Sequence, residues 1–333
     1  GLQAQLPLLI HMSLSGLPFI HSDAGGFAQG AMDNELYTRW LQMACFSPIL
    51  RPHGSGIPSE PVYFNDTTKN IVRKFMKLRY QLLPYIYTLA AEAKLHGYPI
   101  VRPLFYEFPD DTTAYNIDNE YMFGDDILVV PIVERGQEKQ EIYLPKGKKW
   151  YNFWNNFLFD GGKSKIINID LETIPIFVKA GSFIPMVPYF NTTDNYKTSN
   201  LTFRYYFDHS IATNTYTMFE DDGITYGTIE SGDYRLIVLE RKVLSDGEFS
   251  YTLESKGNGY KTEPQVRNIT IEIIGLNKSN IVSLNKDGVK MIKSENKTDI
   301  ENEYYFDNVS RKWILNLVWD GNHTEIIQKG KIK

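Results

Sequence analysis

The fold is decided by residues 16–56, which read GLPFIHSDAGGFAQGAMDNELYTRWLQMACFSPILRPHGSG. This stretch contains two apolar runs, residues 17–20 and 46–50, and each run ends at reactive polar residues. Short apolar runs bounded by glycine or proline are typical of fully buried strands. Between them, the apolar spacing of residues 35–44 is that of a helix. The stretch therefore predicts one βαβ unit with two parallel strands.

The two predicted strands end on the same face. Asp23 follows the first run, and Arg51 and His53 follow the second. In a (β/α) barrel the carboxyl ends of the strands carry the functional residues, whereas the opposite ends mainly serve stability. Each residue also has a plainer interpretation, since Asp23 before two glycines suits a turn and His53 suits a surface loop. Two such ends one repeat apart favour a site, with the side chains of Asp23 and His53 converging on a common pocket.

Seven segments along the chain resemble a known family. They are, in order, FIHSDAGGF, ELYTRWLQMACFSPILRPH, LRYQLLPYIYTLAAEA, GYPIVRPLFYEFPDD, YMFGDDILVVPI, YLPKGKKWYNFW and IPIFVKAGSFIPM. Together they resemble the C-terminal half of glycoside hydrolase family 31, densely over residues 1–190 and more thinly beyond, through MFEDDGITYG. The resemblance implies a retaining α-glycosidase that acts on α-glucosides or related α-linked oligosaccharides, with one Asp as nucleophile and another as acid/base.

The resemblance assigns sugar binding, and no catalytic residue, to this chain. In the family the acid/base Asp lies a few residues before a helix that resembles residues 1–16, and the nucleophile lies further upstream. Asp23 and His53 match family residues that shape the sugar subsite at the cleaved bond, with Phe27 lining it and Arg51 close by. The catalytic pair is expected from the missing N-terminal half of the same enzyme.

Two other functions stay open. An α-transglucosylase of the same family would let a sugar hydroxyl replace water in the second step. A non-enzymatic carbohydrate-binding module would use only the β-rich part of the chain.

Downstream of the βαβ unit the pattern predicts one long helix and then only strands. An apolar stripe over residues 67–95 predicts the last barrel helix, and Pro84 inside it must kink or divide that helix. From residue 98, short β-type runs between turn residues indicate β-sandwiches. The fold class expected is α/β plus all-β, with the C-terminal part of a (β/α)8 barrel (strands seven and eight, residues 1–96), a proximal β-sandwich (97–190) and a distal β-sandwich (191–333).

Two acidic motifs and one glycine-rich motif receive structural interpretations. Asp125 and Asp126 are read as a turn, because adjacent side chains on a strand edge point to opposite faces and do not flank one bond. Residues 220–223 (EDDG) lack the alternating acids of an EF-hand loop, so a tight turn is favoured over a Ca²⁺ site. The loop GGFAQG lacks the Lys-Ser/Thr of a phosphate loop, and its glycines are expected to let the backbone approach a ligand. No metal and no cofactor are expected.

Composition limits the class of partner. The 333 residues are 42% hydrophobic and 23% charged, which is typical of a globular protein with two or three domains. A net charge of −5 argues against nucleic acid and suits a neutral saccharide. No membrane partner is expected, and the single cysteine, Cys45, is interpreted as a small buried hydrophobe. Asn-X-Ser/Thr sequons are attributed to an Asn- and Lys-rich bacterial composition, which favours a periplasmic or secreted bacterial protein while leaving the compartment open.

Overall fold

The structure is a computed structural model that describes residues 1–28, 32–296 and 301–330. The chain divides into two compact units. The first unit comprises residues 1–80 and 89–179, and the second comprises residues 81–88 and 180–333.

The first unit opens with four elements, α1 (Leu2–Leu14), β1 (Asp23–Ala24), α2 (Asn34–Cys45) and β2 (Arg51–Pro52). β1 and β2 pair in parallel, with Asp23 opposite Arg51. The predicted βαβ unit is therefore confirmed. Because the two strands are parallel, their carboxyl ends lie at one edge.

The strands nevertheless begin later than the sequence predicts. Residues 17–20 and 46–50 form no strand, and Leu17 and Phe19 are 49% and 53% exposed. The prediction of two buried strands at these runs is wrong. A strand exists through its ladder hydrogen bonds, and within the described ranges β1 and β2 pair only with each other, over two residues each. The apolar runs therefore lie beside the ladder and not within it.

Helix α2 owes its position to a cap and an apolar face. The Asp33 carboxylate accepts hydrogen bonds from the backbone N–H groups of Glu35 and Leu36, at 2.9 and 3.0 Å. Tyr37 and Leu41 on its inner face are almost fully buried. This cap and this face hold the helix against the strands that carry the candidate site.

The predicted long helix is divided, as the sequence indicates. It forms α3 (Asp66–Gln81) and α4 (Leu83–His96), with Pro84 as the second residue of α4. Proline is tolerated in the first turn of a helix, where its missing N–H has no partner in any case. In the described part of the chain, no helix has the length and apolar character that a bilayer crossing requires.

The rest of the first unit is mainly sheet. A six-stranded antiparallel sheet has the order β3-β4-β5-β10-β7-β8, and β6 pairs with β9 in a separate ladder. Large apolar side chains such as Trp150 and Phe177 fill the core beside these strands. The elements are β3 (Val101–Arg102), α5 (Leu104–Glu107), β4 (Tyr121–Phe123), β5 (Ile127–Val129), β6 (Lys139–Leu144), β7 (Lys149–Asn152), β8 (Leu158–Asp160), β9 (Lys163–Asn168) and β10 (Ile176–Lys179).

The second unit contains two six-stranded sheets, β11-β12-β16-β21-β20-β19 and β13-β14-β15-β22-β17-β18. Both sheets contribute to one apolar core, for example Ile271 from one and Leu239 from the other, so the predicted β-sandwich is confirmed. Its elements are β11 (Phe183–Met186), β12 (Asn200–Tyr206), β13 (Thr213–Glu220), α6 (Thr228–Ser231), β14 (Arg235–Ser245), β15 (Glu248–Lys256), β16 (Arg267–Ile274), β17 (Ile281–Lys286), β18 (Val289–Lys290), β19 (Ile292–Lys293), β20 (Glu303–Asp307), β21 (Lys312–Trp319) and β22 (Thr324–Gly330).

Strand β11 pairs across the predicted domain boundary at residue 190. It falls within the expected proximal domain, residues 97–190, yet it pairs with β12, where Phe183 lies opposite Tyr205. The boundaries at residues 96 and 190 stay predictions.

Candidate functional site

The four predicted site residues lie in or just after β1 and β2: Asp23 and Arg51 are the first residues of these strands, and Phe27 and His53 follow them. Asp23 and Arg51 are cross-strand neighbours, with 4.0 Å between Asp23 Oδ1 and Arg51 Nε. The rings of Phe27 and His53 lie 5.4 Å apart, centroid to centroid, at a tilt of 38°. The structure thus brings Asp23 to Arg51 and Phe27 to His53. Convergence of all four on a common sugar pocket stays a prediction.

One carboxylate oxygen of Asp23 has no hydrogen-bond donor in the rest of the site. Its Oδ1 is buried and receives no hydrogen bond from any described residue. His21 Nδ1 lies 3.9 Å from this oxygen and Arg51 Nε lies 4.0 Å from it, both beyond hydrogen-bond distance. A buried carboxylate oxygen without a donor is costly unless a hydroxyl or N–H group completes it. Asp23 is therefore suited to accept a hydrogen bond from a ligand.

Gly25 places the loop after β1 against helix α2. Gly25 has φ +101, and a Cβ atom added to it would lie 2.6 Å from Tyr37 Cδ2. The close neighbour of this glycine is thus the Tyr37 ring, and the expectation that the glycines let the backbone approach a ligand stays a prediction. Gly30, in the same motif, lies outside the described residues.

Tyr37 contacts both loops of the site. Its hydroxyl donates to the Ser59 carbonyl at 2.6 Å, and its ring stacks on Phe64 with 3.8 Å between centroids. Burial raises the pKa of this hydroxyl, with a further contribution from the Glu60 charge, so Tyr37 stays a neutral donor. The loops are also joined directly, because Ser55 N–H donates to the Phe27 carbonyl at 2.6 Å. Tyr37 therefore holds the loop of Asp23 and the loop of His53 in one arrangement.

Sequence reasoning missed Tyr37 and the second contact from α2, in which Trp40 Nε1 donates to Ser22 Oγ at 2.7 Å. The sequence feature that could have indicated both contacts is an aromatic residue with a polar group at its tip, on the buried face of the helix that joins the two site strands.

Gly25→Ala should lower stability. The added methyl group would meet the Tyr37 ring at 2.6 Å, at a backbone φ of +101 that alanine adopts poorly. We expect a loss of about 1–3 kcal/mol in the free energy of unfolding, measured by urea denaturation.

The matched control is Gly16→Ala. Gly16 also has a positive φ, +84, but no atom lies within 4 Å of the position that an added Cβ would occupy. This variant carries the backbone strain without the collision. Equal losses in the two variants would contradict the role given to the Tyr37 contact.

Three other acids of the first unit, Glu35, Asp125 and Asp126, have structural partners. Glu35 lies in the first turn of α2, as expected of an acid near the positive end of a helix dipole, and its Oε1 accepts from Gly136 N–H at 2.8 Å. Asp125 and Asp126 lie in the turn between β4 and β5, which confirms the turn interpretation. The expectation that the two side chains point to opposite faces is wrong. Both carboxylates lie within 4 Å of Lys179 Nζ, at 3.9 and 3.2 Å, and so face the same group.

The acidic motif of the second unit is also structural. Asp221 Oδ1 accepts from the Tyr87 hydroxyl at 2.7 Å and from Gly223 N–H at 2.8 Å. Asp222 accepts from the backbone N–H groups of Ile224 and Thr225, which defines a tight turn and confirms that interpretation. Within the ranges that the structure describes, no group of three His, Cys, Asp or Glu side chains is arranged to hold a metal ion.

The architecture and the site together define a class of protein. Parallel strands that carry polar side chains, followed by β-sandwich structure, are typical of a barrel enzyme with accessory β domains. Two family models match the chain: "Glycosyl hydrolases family 31 TIM-barrel domain" over residues 1–89, and "Glycosyl hydrolase family 31 C-terminal domain" over residues 97–184. The chain belongs to glycoside hydrolase family 31, and the resemblance drawn from its motifs is confirmed.

Individual relatives show how much of a family member the chain represents. It is 37% identical over 263 residues to alpha-glucosidase 2 of Bacillus thermoamyloliquefaciens, covering 78% of this chain and 32% of that protein. It is 37% identical over 243 residues to an alpha-xylosidase of Saccharolobus solfataricus, covering 72% and 33%. A Flavobacterium johnsoniae GH31 dextranase complexed with glucose superposes with a TM-score of 0.92 at 28% identity, covering 99% of this chain and 42% of that one. The chain spans about a third of the length of these curated relatives.

Proposed function

We propose that this chain is the C-terminal part of a retaining α-glycosidase that acts on α-glucosides or related α-linked oligosaccharides. Its own contribution is a sugar subsite, and the nucleophile and the acid/base belong to the part of the enzyme that these 333 residues do not span. The observation that carries the proposal is Asp23, which lies in the parallel β1-β2 pair and whose buried Oδ1 receives no hydrogen bond from the described residues.

The four site residues take different parts in holding the sugar. Asp23 accepts a hydrogen bond from a sugar hydroxyl, and Arg51 steadies its charge from 4.0 Å. His53 donates to a ring hydroxyl. Phe27 is 46% exposed, so it has ring surface free to pack on an apolar sugar face. Fixing the sugar in this way lowers the barrier by holding the anomeric carbon in an attack-ready position.

The chemistry proposed for the complete enzyme is double displacement. One carboxylate attacks the anomeric carbon while a carboxylic acid protonates the leaving oxygen, and water then hydrolyses the glycosyl-enzyme. The two carboxyl groups must lie about 5–5.5 Å apart. Asp23, Phe27, Arg51 and His53 orient the substrate throughout and exchange no proton with it.

The same proposal names a partner for the barrel fragment. The exposed Leu17 and Phe19 lie beside the two-stranded β1-β2 ladder, which leaves strand edges unpaired among the described residues. Edges and apolar faces of this kind require cover. The remaining barrel strands of the same enzyme would supply it, and the barrel portion, the proximal sandwich and the distal sandwich would divide near residues 96 and 190.

Asp23→Ala and His53→Ala, each made in the complete enzyme, should lower kcat/KM. A hydrogen bond to a charged group contributes about 1.5–3 kcal/mol, so each variant should lose roughly tenfold to more than a hundredfold. Steady-state kinetics on an aryl α-glucoside and an aryl α-xyloside measure the effect. Analysis of the products with an added acceptor sugar separates hydrolysis from transglycosylation.

Asp118→Ala is the control, because Asp118 is exposed in the same unit. It should leave kcat/KM and thermal stability unchanged. Wild-type kinetics in both the Asp23 and His53 variants would remove these residues from the sugar subsite.

A further inference from the structure

A buried arginine in the second unit has no charged partner among the residues that the structure describes. Arg241, in β14, has none of its surface exposed. Its guanidinium carbon lies 5.0 Å from the Phe207 ring centroid and 4.3 Å from the Phe249 ring centroid. Among the described residues no carboxylate lies within 4 Å of it. Contacts with aromatic faces offset only part of the cost of burying a charge.

The hydrogen bonds of Arg241 are incomplete as well. Its Nη1 donates to the Ile211 carbonyl, whereas Nε and Nη2 find no acceptor in the described part of the chain. Asp208 is an acid near this cluster, and its charge contributes to raising the pKa of Tyr205. Its Oδ1 already accepts hydrogen bonds from Ser210 N–H and Oγ, at 2.9 and 2.8 Å. A buried donor without an acceptor costs about 1–3 kcal/mol, and more when it is charged.

Two neighbouring side chains add further donors of the same kind. The buried Gln328 uses its Oε1 to accept from the Tyr251 hydroxyl at 2.9 Å, which leaves its Nε2 without an acceptor. The buried Tyr205 hydroxyl also finds no acceptor among the described residues. Burial raises the pKa of Tyr205 to about 12, so this hydroxyl keeps its proton and can donate.

These groups meet around Tyr251. Arg241 lies opposite Tyr251 in the β14-β15 ladder, and the guanidinium interacts with the Tyr251 hydroxyl. The same hydroxyl contacts Gln328, and the ring of Tyr205 lies 5.9 Å from the ring of Tyr251, edge to face. Tyr205 belongs to one sheet of the sandwich, whereas Arg241 and Gln328 belong to the other. The cluster therefore lies between the two sheets.

The excess of donors selects the chemistry of the ligand. A water molecule accepts hydrogen bonds but must also donate two, and this cluster offers a positive charge and donors in place of free acceptors. A species that only accepts, carries one negative charge and is small enough for a sandwich core satisfies both requirements. We propose that Arg241, Gln328 and Tyr205 form a chloride site that links the two sheets of the second unit.

The site makes stability depend on the anion. Anything that binds only the folded state raises its stability with concentration. The melting temperature of the intact protein that contains this chain should rise by a few degrees when sodium gluconate is replaced by sodium chloride or bromide at equal ionic strength. Two variants should abolish this dependence. Arg241→Met removes the charge, and Gln328→Glu supplies a built-in carboxylate in place of the anion.

Gln328→Glu keeps the test decisive if Arg241→Met does not fold. The matched control is Arg311→Met, because Arg311 is exposed in the same unit, and this variant should keep the chloride effect. A bromide-soaked crystal should show an anomalous peak beside Arg241 Nε. The proposal would be overturned by a melting temperature that does not change with the halide or by a halide effect that persists in Gln328→Glu. A crystal that shows only a water molecule beside Arg241 would overturn it as well.

Discussion

Expressed by itself, the chain of residues 1–333 should hydrolyse no aryl α-glucoside or α-xyloside above the buffer rate. Retaining cleavage needs a nucleophilic carboxylate and a carboxylic acid about 5–5.5 Å apart across the glycosidic bond. Asp23 is the acid of the candidate site, whereas Asp33 caps α2. Glu35, in the first turn of the same helix, is bonded to Gly136 N–H at 2.8 Å. On the proposed function, the chain supplies binding groups and the catalytic pair comes from the rest of the enzyme.

The complete enzyme serves as the positive control in that assay. An Asp23→Asn variant of the isolated chain should be as inactive as the unaltered chain. Turnover by the isolated chain that disappears in Asp23→Asn would make Asp23 catalytic and would contradict the binding role proposed for it.

Glu120→Gln should stabilise the protein at alkaline pH by a large margin. Glu120 is 1% exposed, its Oε1 accepts from Tyr143 N–H at 2.6 Å, and its Oε2 has no partner among the described residues. Burial raises the pKa of this carboxyl from 4.5 to about 8, with a smaller contribution from Glu141. The folded protein therefore keeps a proton that the unfolded chain releases above about pH 4.5.

The sign of the pH dependence follows from that proton. The stability that the protonated Glu120 contributes is complete below the unfolded pKa of 4.5 and is lost as pH rises through the folded pKa of about 8. The loss is on the order of 5 kcal/mol above that pH. Glutamine keeps the bond from Tyr143 and does not ionise, so the loss should vanish in Glu120→Gln.

Urea denaturation between pH 5 and pH 9 measures this effect as the difference between the variant and the unaltered protein. Glu92 also contributes to the pH dependence, because burial and the Asp125 charge raise its pKa to about 7. Its contribution is the same in both proteins and cancels in the difference. Glu138→Gln is the control, since Glu138 is exposed in the same unit and should leave the slope unchanged. Parallel curves for Glu120→Gln and the unaltered protein would show that Glu120 is ionised in the folded state.

Much of the fold could be predicted from local patterns. The division of a helix at Pro84 and the turns at Asp125 and Asp222 depend on backbone preferences that act over a few residues. The alternation of apolar and polar residues that indicates a sandwich is likewise a local property of each strand. The parallel pairing of β1 and β2 follows from one helix joining two extended segments. These features need no knowledge of what packs against them.

The sequence by itself thus determined the family, the order of barrel and sandwich elements, and the parallel pairing of the strands that carry Asp23 and Arg51. The tertiary structure alone decided where the strands begin, why Gly25 is a glycine, and how Tyr37 joins the two loops. It also decided that Glu120 and Arg241 are buried without full pairing. The reason is physical, because burial and hydrogen-bond satisfaction depend on residues distant in the chain, and a local pattern does not specify them.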